Sequence, residues 1–299
     1  MLKKYCVAFT IGAILFTAAP SLAGAALINT NVNVSVTAID QIGEHGTVNW
    51  KQGVVEAVGT GVPPYEAYPA QARAMAKRAA VVDAQRNLLE AIHGVQVTAE
   101  TTVQNFAIAD DTIKTKVSGI VKGAKIVHEQ QFADGTYQII MRINLFGQGS
   151  VAEAITNSVK STTPDLLLSP SPAYKPAELP LTVSSSYTGL VIDVTGLPLT
   201  RAMSPVVFDD TGRKIYGHEN IIPQYVVSQG MIDYMCTPED LRTLELGQSR
   251  AGTKPITVKA LALRDHNVNI IISQADADKI LAANMQDNFL MQTRVCVRQ

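Results

Sequence analysis

Residues 54–61 read VVEAVGTG and residues 70–94 read AQARAMAKRAAVVDAQRNLLEAIHG. These two stretches decide the fold of the amino-terminal half. Val54 to Val58 is apolar and rich in β-branched residues, the composition of a short strand, and it runs out into Gly59-Thr60-Gly61. Pro63 and Pro64 enforce an extended loop, and Pro69 stands where a first helical turn has no use for its missing N–H. An alanine-rich helix is then predicted from Ala70 to His93, stopped by Gly94. On a 100° wheel Ala80, Val81, Ala84, Leu88, Ala91 and Ile92 gather on one side, while Asp83, Arg86, Asn87 and Glu90 face away. Small alanines on the buried side let such a helix lie close against a sheet.

Outward from this core the pattern changes period. Val95, Val97, Ala99, Thr101 and Val103 alternate as in a strand, and a short helix is predicted from Asp110 to Ile120. Ala124 to Phe132 and Thr136 to Phe146 form a hairpin around Asp134-Gly135, both of which tolerate positive φ. Upstream, the segment from Leu27 to His45 alternates at Val32, Val34, Val36 and Ala38, which suits an edge strand or a mobile arm. Residues 27–160 therefore read as an α/β sandwich, a long helix on a mixed sheet.

Five of the fourteen prolines (Pro164, Pro170, Pro172, Pro176 and Pro180) fall in a short stretch, so residues 161–185 read as an extended linker. Residues 186–299 read as a second, strand-rich α+β domain with its own core. Its signals are a strand from Tyr187 to Val194, a hairpin about Asp209-Asp210-Thr211-Gly212, and helices capped by Thr237 and Ser273. Strands are expected at 255–263, 268–272 and 289–297. The fold class is thus α/β in the broad sense, α+β, in two domains.

The amino terminus has the three parts of a secretory signal, expected to occupy residues 1–25. Lys3 and Lys4 precede an uncharged apolar run from Tyr5 to Ala19, followed by Pro20 and the small-residue stretch 21–26. Cleavage after Ala23 or after Ala25 satisfies the small-residue rule equally. Ala25 stands where a lipoprotein signal requires cysteine, so a periplasmic protein without a lipid anchor is expected. No later stretch is apolar for the roughly 20 residues that a membrane-spanning helix needs. Removing Lys3 and Lys4 takes the net charge from -1 to about -3, a balance that disfavours nucleic acid as a partner. Cys236 and Cys296 remain after processing, an even number that invites a disulfide in an oxidising compartment, and two buried free thiols are the competing reading.

A search for chemistry returns no catalytic, cofactor-binding or metal-binding residues, and no cofactor is expected. Gly59-Thr60-Gly61 lacks the third glycine of a dinucleotide fingerprint, with Pro64 in its place, and the helix starts too late for its N–H groups to cradle phosphate. His218-Glu219 opens the zinc-protease pattern, but Ile222 replaces the second histidine. His93, ahead of the helix-ending glycine, suits the carbonyl end of the dipole. Asp110-Asp111 and Asp209-Asp210 read as solvated turn and cap acids.

Gly59-Thr60-Gly61-Val62-Pro63, then Ala72, Ala76, Ala79, Ala80 and the run from Asp83 to Val95, then Val117 to Ala124, resemble the LPP-twenty lipoprotein family. The same residues, within 53–147, are similar to the amino-terminal domain of the flagellar assembly protein FlgT. The resemblance implies an envelope protein of α/β fold without catalysis, in some members linked to the flagellar basal body. The missing lipid-carrying cysteine departs from the family. The expected function is therefore non-enzymatic: binding or scaffolding of envelope or basal-body proteins, with homo-oligomerisation as a further option. A periplasmic ligand-binding protein or hydrolase with its site between the domains is the alternative.

Overall fold

The computed structural model describes residues 37–156 and 186–299. The expected signal peptide, the alternation at Val32, Val34 and Val36, and the expected linker at 161–185 lie outside the described residues. Within them the protein is α+β.

The first half is a five-stranded sheet: β1 (Ile39–Ile42), β2 (Gly46–Asn49), β3 (Val54–Gly61), β4 (Lys125–Gln131) and β5 (Tyr137–Asn144), in the order β1-β2-β3-β5-β4. Every pairing in it is antiparallel, so the expected mixed sheet is corrected to an antiparallel one. Short connections such as the turn at Gly135 (φ 86°) permit this, since antiparallel neighbours need only a tight turn. Helix α1 (Pro69–His93) crosses one face and buries Ala72, Ala76, Ala80, Ala84, Leu88, Ala91 and Ile92.

Glycine and alanine interlock where α1 meets β3. A Cβ on Gly59 would overlap the backbone of Ala84 and Ala80, and one on Gly61 the backbone of Ala76 and Ala80. The flanks of the helix are not turned away from the sheet, as the wheel suggested for Asp83 and Asn87. Asp83 accepts a hydrogen bond from Thr60 N–H at 2.9 Å, and Asn87 donates to the Val58 carbonyl at 2.7 Å. So close a helix brings polar flank residues within reach of strand backbone, which they satisfy.

The expected strand at 95–103 is replaced by an irregular turn joined by one bridge, Gln96 to Thr102. The alternation still marks burial, for Val95 and Val97 are fully covered. The Gln96 and Val97 carbonyls bond instead to Met203 N–H and Ser204 N–H of the second half. Helices α2 (Val103–Ala109), α3 (Asp111–Lys122) and α4 (Val151–Thr156) complete the first half.

In the second half β6 (Gly189–Asp193), β9 (Asp233–Met235), β10 (Pro255–Lys259) and β13 (Val295–Arg298) form a parallel sheet in the order β10-β6-β13-β9. Its centre is apolar on both faces: Leu190 and Ile192 enter the main core, and Val191 joins Met235, Ala251 and Cys296 on the other side. A second sheet has the order β11-β12-β7-β8, from β7 (Val207–Asp209), β8 (Lys214–Tyr216), β11 (Ala262–Arg264) and β12 (Asn269–Ile272). Helices α5 (Pro223–Gln229), α6 (Pro238–Glu245) and α7 (Gln274–Asp287) surround them. Thr237 caps α6 and Ser273 caps α7 as the sequence indicates. The carboxy-terminal strand is shorter than expected, because residues 289–294 turn before β13 begins.

One contiguous apolar cluster runs through both halves, from Ala38, Val55 and Leu88 to Leu190, Ile270 and Val297. Separate cores were expected. Trp50 meets Tyr234, and Val97, Ala152 and Ile155 face Met203 and Val226, which removes the boundary between them.

Candidate functional site

Two of the four buried charged residues of the described structure, Arg201 and Asp240, lie where the halves join. Trp50, at the end of β2, donates its indole N–H to Asp40 at 2.6 Å and meets Tyr234 edge-on, with ring centroids 5.8 Å apart. Arg201 is buried and reaches back to Asp40 at 2.5 Å. Burial is the largest influence and works against its charge, but Asp40, Cys236 and Tyr234 together outweigh it and raise its pKa. The next residue, Lys51, lies 3.2 Å from Asp233 and 3.1 Å from Asp240. Here too burial opposes the ammonium, and the two carboxylates lift its pKa above the ordinary lysine value. Asp240 is held below the ordinary value despite its burial, by N–H groups of Thr237 and Cys236 and by Lys51.

Beside Lys51 a cleft of about 380 Å³ opens between the halves. Gln52, Gly53, Asn144 and Phe146 form the first-half wall, and Ser228, Gln229, Asp233 and Arg250 the other. Phe146 is wedged between Gly53 (φ 62°) and Gly230 (φ 75°), where a Cβ on Gly230 would come within 2.7 Å of its ring. Arg250 donates to the carbonyls of Gly230, at 3.0 Å, and Gln229. The sequence offered no motif for this cleft, because its walls come from four separated stretches of chain.

The residues singled out in the sequence take structural places. Cys236 and Cys296 are both free and buried. Cys296 lies opposite Asp233 in the β13–β9 ladder, and Cys236 follows three residues later. At roughly 3.3 Å per residue that separation exceeds the reach of a disulfide. Burial pushes the Cys296 thiol up to about 11, so it is an inert core thiol. Gly59 and Gly61 serve helix packing, as described above. Asp209 is not solvated: its side chain is buried, accepts from Thr211 and Arg213, and pairs with Arg213 at 2.9 Å. Asp210 is exposed and accepts from the first N–H of α7, while Asp110 caps α3. The burial of His93 lowers its pKa, which works against the expected cation at the helix end. Among the described residues no group of three or more His, Cys, Asp or Glu could hold a metal ion, and no helix is long and apolar enough to cross a membrane.

His218, in a short 3-10 turn (His218–Asn220), has a buried Nδ1 without a hydrogen-bond partner among the described residues. It borders a void of about 20 Å³ between the halves, with Val97, Met203 and Val226. Burial lowers its pKa below 6.5 although Glu219 acts the other way. A depressed folded pKa means that its contribution is present above the unfolded value and is lost as pH falls through the folded one. The melting temperature of the wild type should therefore drop between about pH 7 and about pH 5. His218→Gln should show a shallower drop, with His93 accounting for the remainder. Parallel pH profiles for the two proteins would refute this role.

Residues 189–298 match the family model described as Treponema pallidum Tp0624, second domain. The match runs from β6 to β13 and so covers the second half alone. No curated protein matches the chain. These findings lend no support to the LPP-twenty and FlgT resemblance of residues 53–147.

Proposed function

We propose that this chain is a non-enzymatic, exported envelope protein that binds or scaffolds other envelope proteins, the LPP-twenty and FlgT resemblance pointing toward basal-body assembly. The observation that supports the reading is an apolar, aromatic end to the first half. Val62, Tyr65 and Tyr68 are 69 %, 102 % and 82 % exposed, in the loop that links β3 to α1. The neighbouring hairpin turn, whose Gly135 lies against Pro63, adds the partly exposed Phe132. Tyrosines bring large contact area at low entropic cost, which is why they are enriched in interfaces. The prolines on either side stiffen the loop and reduce the ordering cost of binding.

Crosslinking in intact cells, with recovery of bound proteins, tests this reading. The wild type should capture envelope proteins, and Tyr65→Ser with Tyr68→Ser should lose them. Both positions are exposed, so stability should change by less than about 0.5 kcal/mol. An unchanged set of captured proteins would overturn the role of this end. A deletion strain with normal motility would remove the flagellar part.

A further inference from the structure

We propose that the cleft between the halves is a binding site for a small molecule bearing one carboxylate, with the Arg250 guanidinium as its anchor. The volume of about 380 Å³ falls in the range of small-molecule sites. Charge then decides what kind of molecule fits. Lys51 is committed to Asp233 and Asp240, and the negative charge these three leave over is met at Asp240 by the N–H groups of Cys236 and Thr237. Arg250 has no acidic partner among the described residues; its bonds go to two backbone carbonyls, which orient the group without cancelling its charge. A guanidinium carries five N–H donors in a planar fork, so three remain for a ligand.

The four charges at the cleft cancel overall, so selection rests on direct pairing: one guanidinium without a carboxylate partner matches one carboxylate. A carboxylate meets a guanidinium fork in a planar, bidentate way. A dianionic phosphate would leave a charge unpaired close to Asp233, which disfavours it. Asn144 on the opposite wall and Ser228 on the near one offer neutral donors and acceptors for an amide or hydroxyl, and Phe146 gives the cleft an apolar side. The site goes beyond the scaffolding role and does not rest on it.

N-acetylglycine is the probe, and its neutral isostere N-acetylglycinamide and inorganic phosphate are the controls, each titrated into the full chain with backbone amide NMR as the readout. N-acetylglycine should shift Gln52, Gly53, Ser228 and Gln229 saturably, at least tenfold more tightly than either control. Arg250→Gln should weaken this at least tenfold. Because Arg250 also ties down the Gln229–Gly230 turn, Asn144→Asp serves as a second variant. It adds a negative charge on the opposite wall without touching that turn, and should weaken binding to a similar degree. Equal affinity for N-acetylglycine and its amide, phosphate binding as tightly, equal binding by the wild type and Asn144→Asp, or no saturable shift would each overturn the proposal.

Discussion

Gly59→Ala should cost about 3 kcal/mol, a loss out of proportion to one methyl group. The added Cβ would overlap backbone atoms of Ala80 and Ala84, which cannot rotate aside as a flexible side chain could. Relief requires α1 to lift from β3. Lifting it would loosen the buried alanines from Ala76 to Ala84 and stretch the Asn87 bond to Val58 and the Thr60 bond to Asp83. Gly61→Ala should behave alike, and the double variant should cost less than the sum, because both relax by the same movement. Gly119→Ala, within α3, is the contrasting case. Nothing lies within 4 Å of its new Cβ, and alanine suits a helix better than glycine by up to about 1 kcal/mol. Urea denaturation midpoints for the four variants provide the check. A Gly59→Ala midpoint equal to that of the wild type would show that the helix is not held by this contact.

Leu88→Asp should be more damaging still, at about 4 kcal/mol or more, enough to unfold a protein of ordinary stability. Leu88 is fully buried in α1 within the cluster that runs through both halves. The substitution removes apolar volume and leaves a carboxylate with no cation to meet. Arg86→Ala, at an exposed position one turn's edge away, should change stability by less than about 0.5 kcal/mol. The shared core adds a second expected result. Trp50 is the sole tryptophan and sits against Tyr234 of the second half, so its fluorescence reports on the junction. In the wild type this signal and far-UV circular dichroism should unfold in one coincident transition. Two separated transitions would mean that the halves fold independently despite the continuous core.

Local signals placed most elements where they stand. The strand ending at Gly61, the helix opened by Pro69 and ended near Gly94, the hairpin at Gly135 and the caps at Thr237 and Ser273 were all legible, because each depends on a few adjacent residues. The buried face of α1 was legible too, since alanines four residues apart define a stripe whatever lies beneath them. Short elements were not. Residues 233–235 carry no pattern of their own, and they become β9 only because β13 runs beside them. At 95–102 the alternation encoded burial without strand pairing, because the partner for those carbonyls is the turn at 203–204.

The sequence by itself determined the α+β class, the close seat of α1 against a sheet, and the export signal as an expectation. Tertiary structure alone decided that the two halves share a core, that Cys236 and Cys296 stand too far apart along neighbouring strands to pair, and that Asp209 is buried against Arg213. It alone assembled the cleft, whose opposing walls hold Asn144 and Arg250. The physical reason is the range of the interactions. Propensity, capping and periodicity act within a few residues, whereas core continuity, cysteine spacing and the charge balance of the cleft depend on residues brought together from stretches up to about two hundred positions apart.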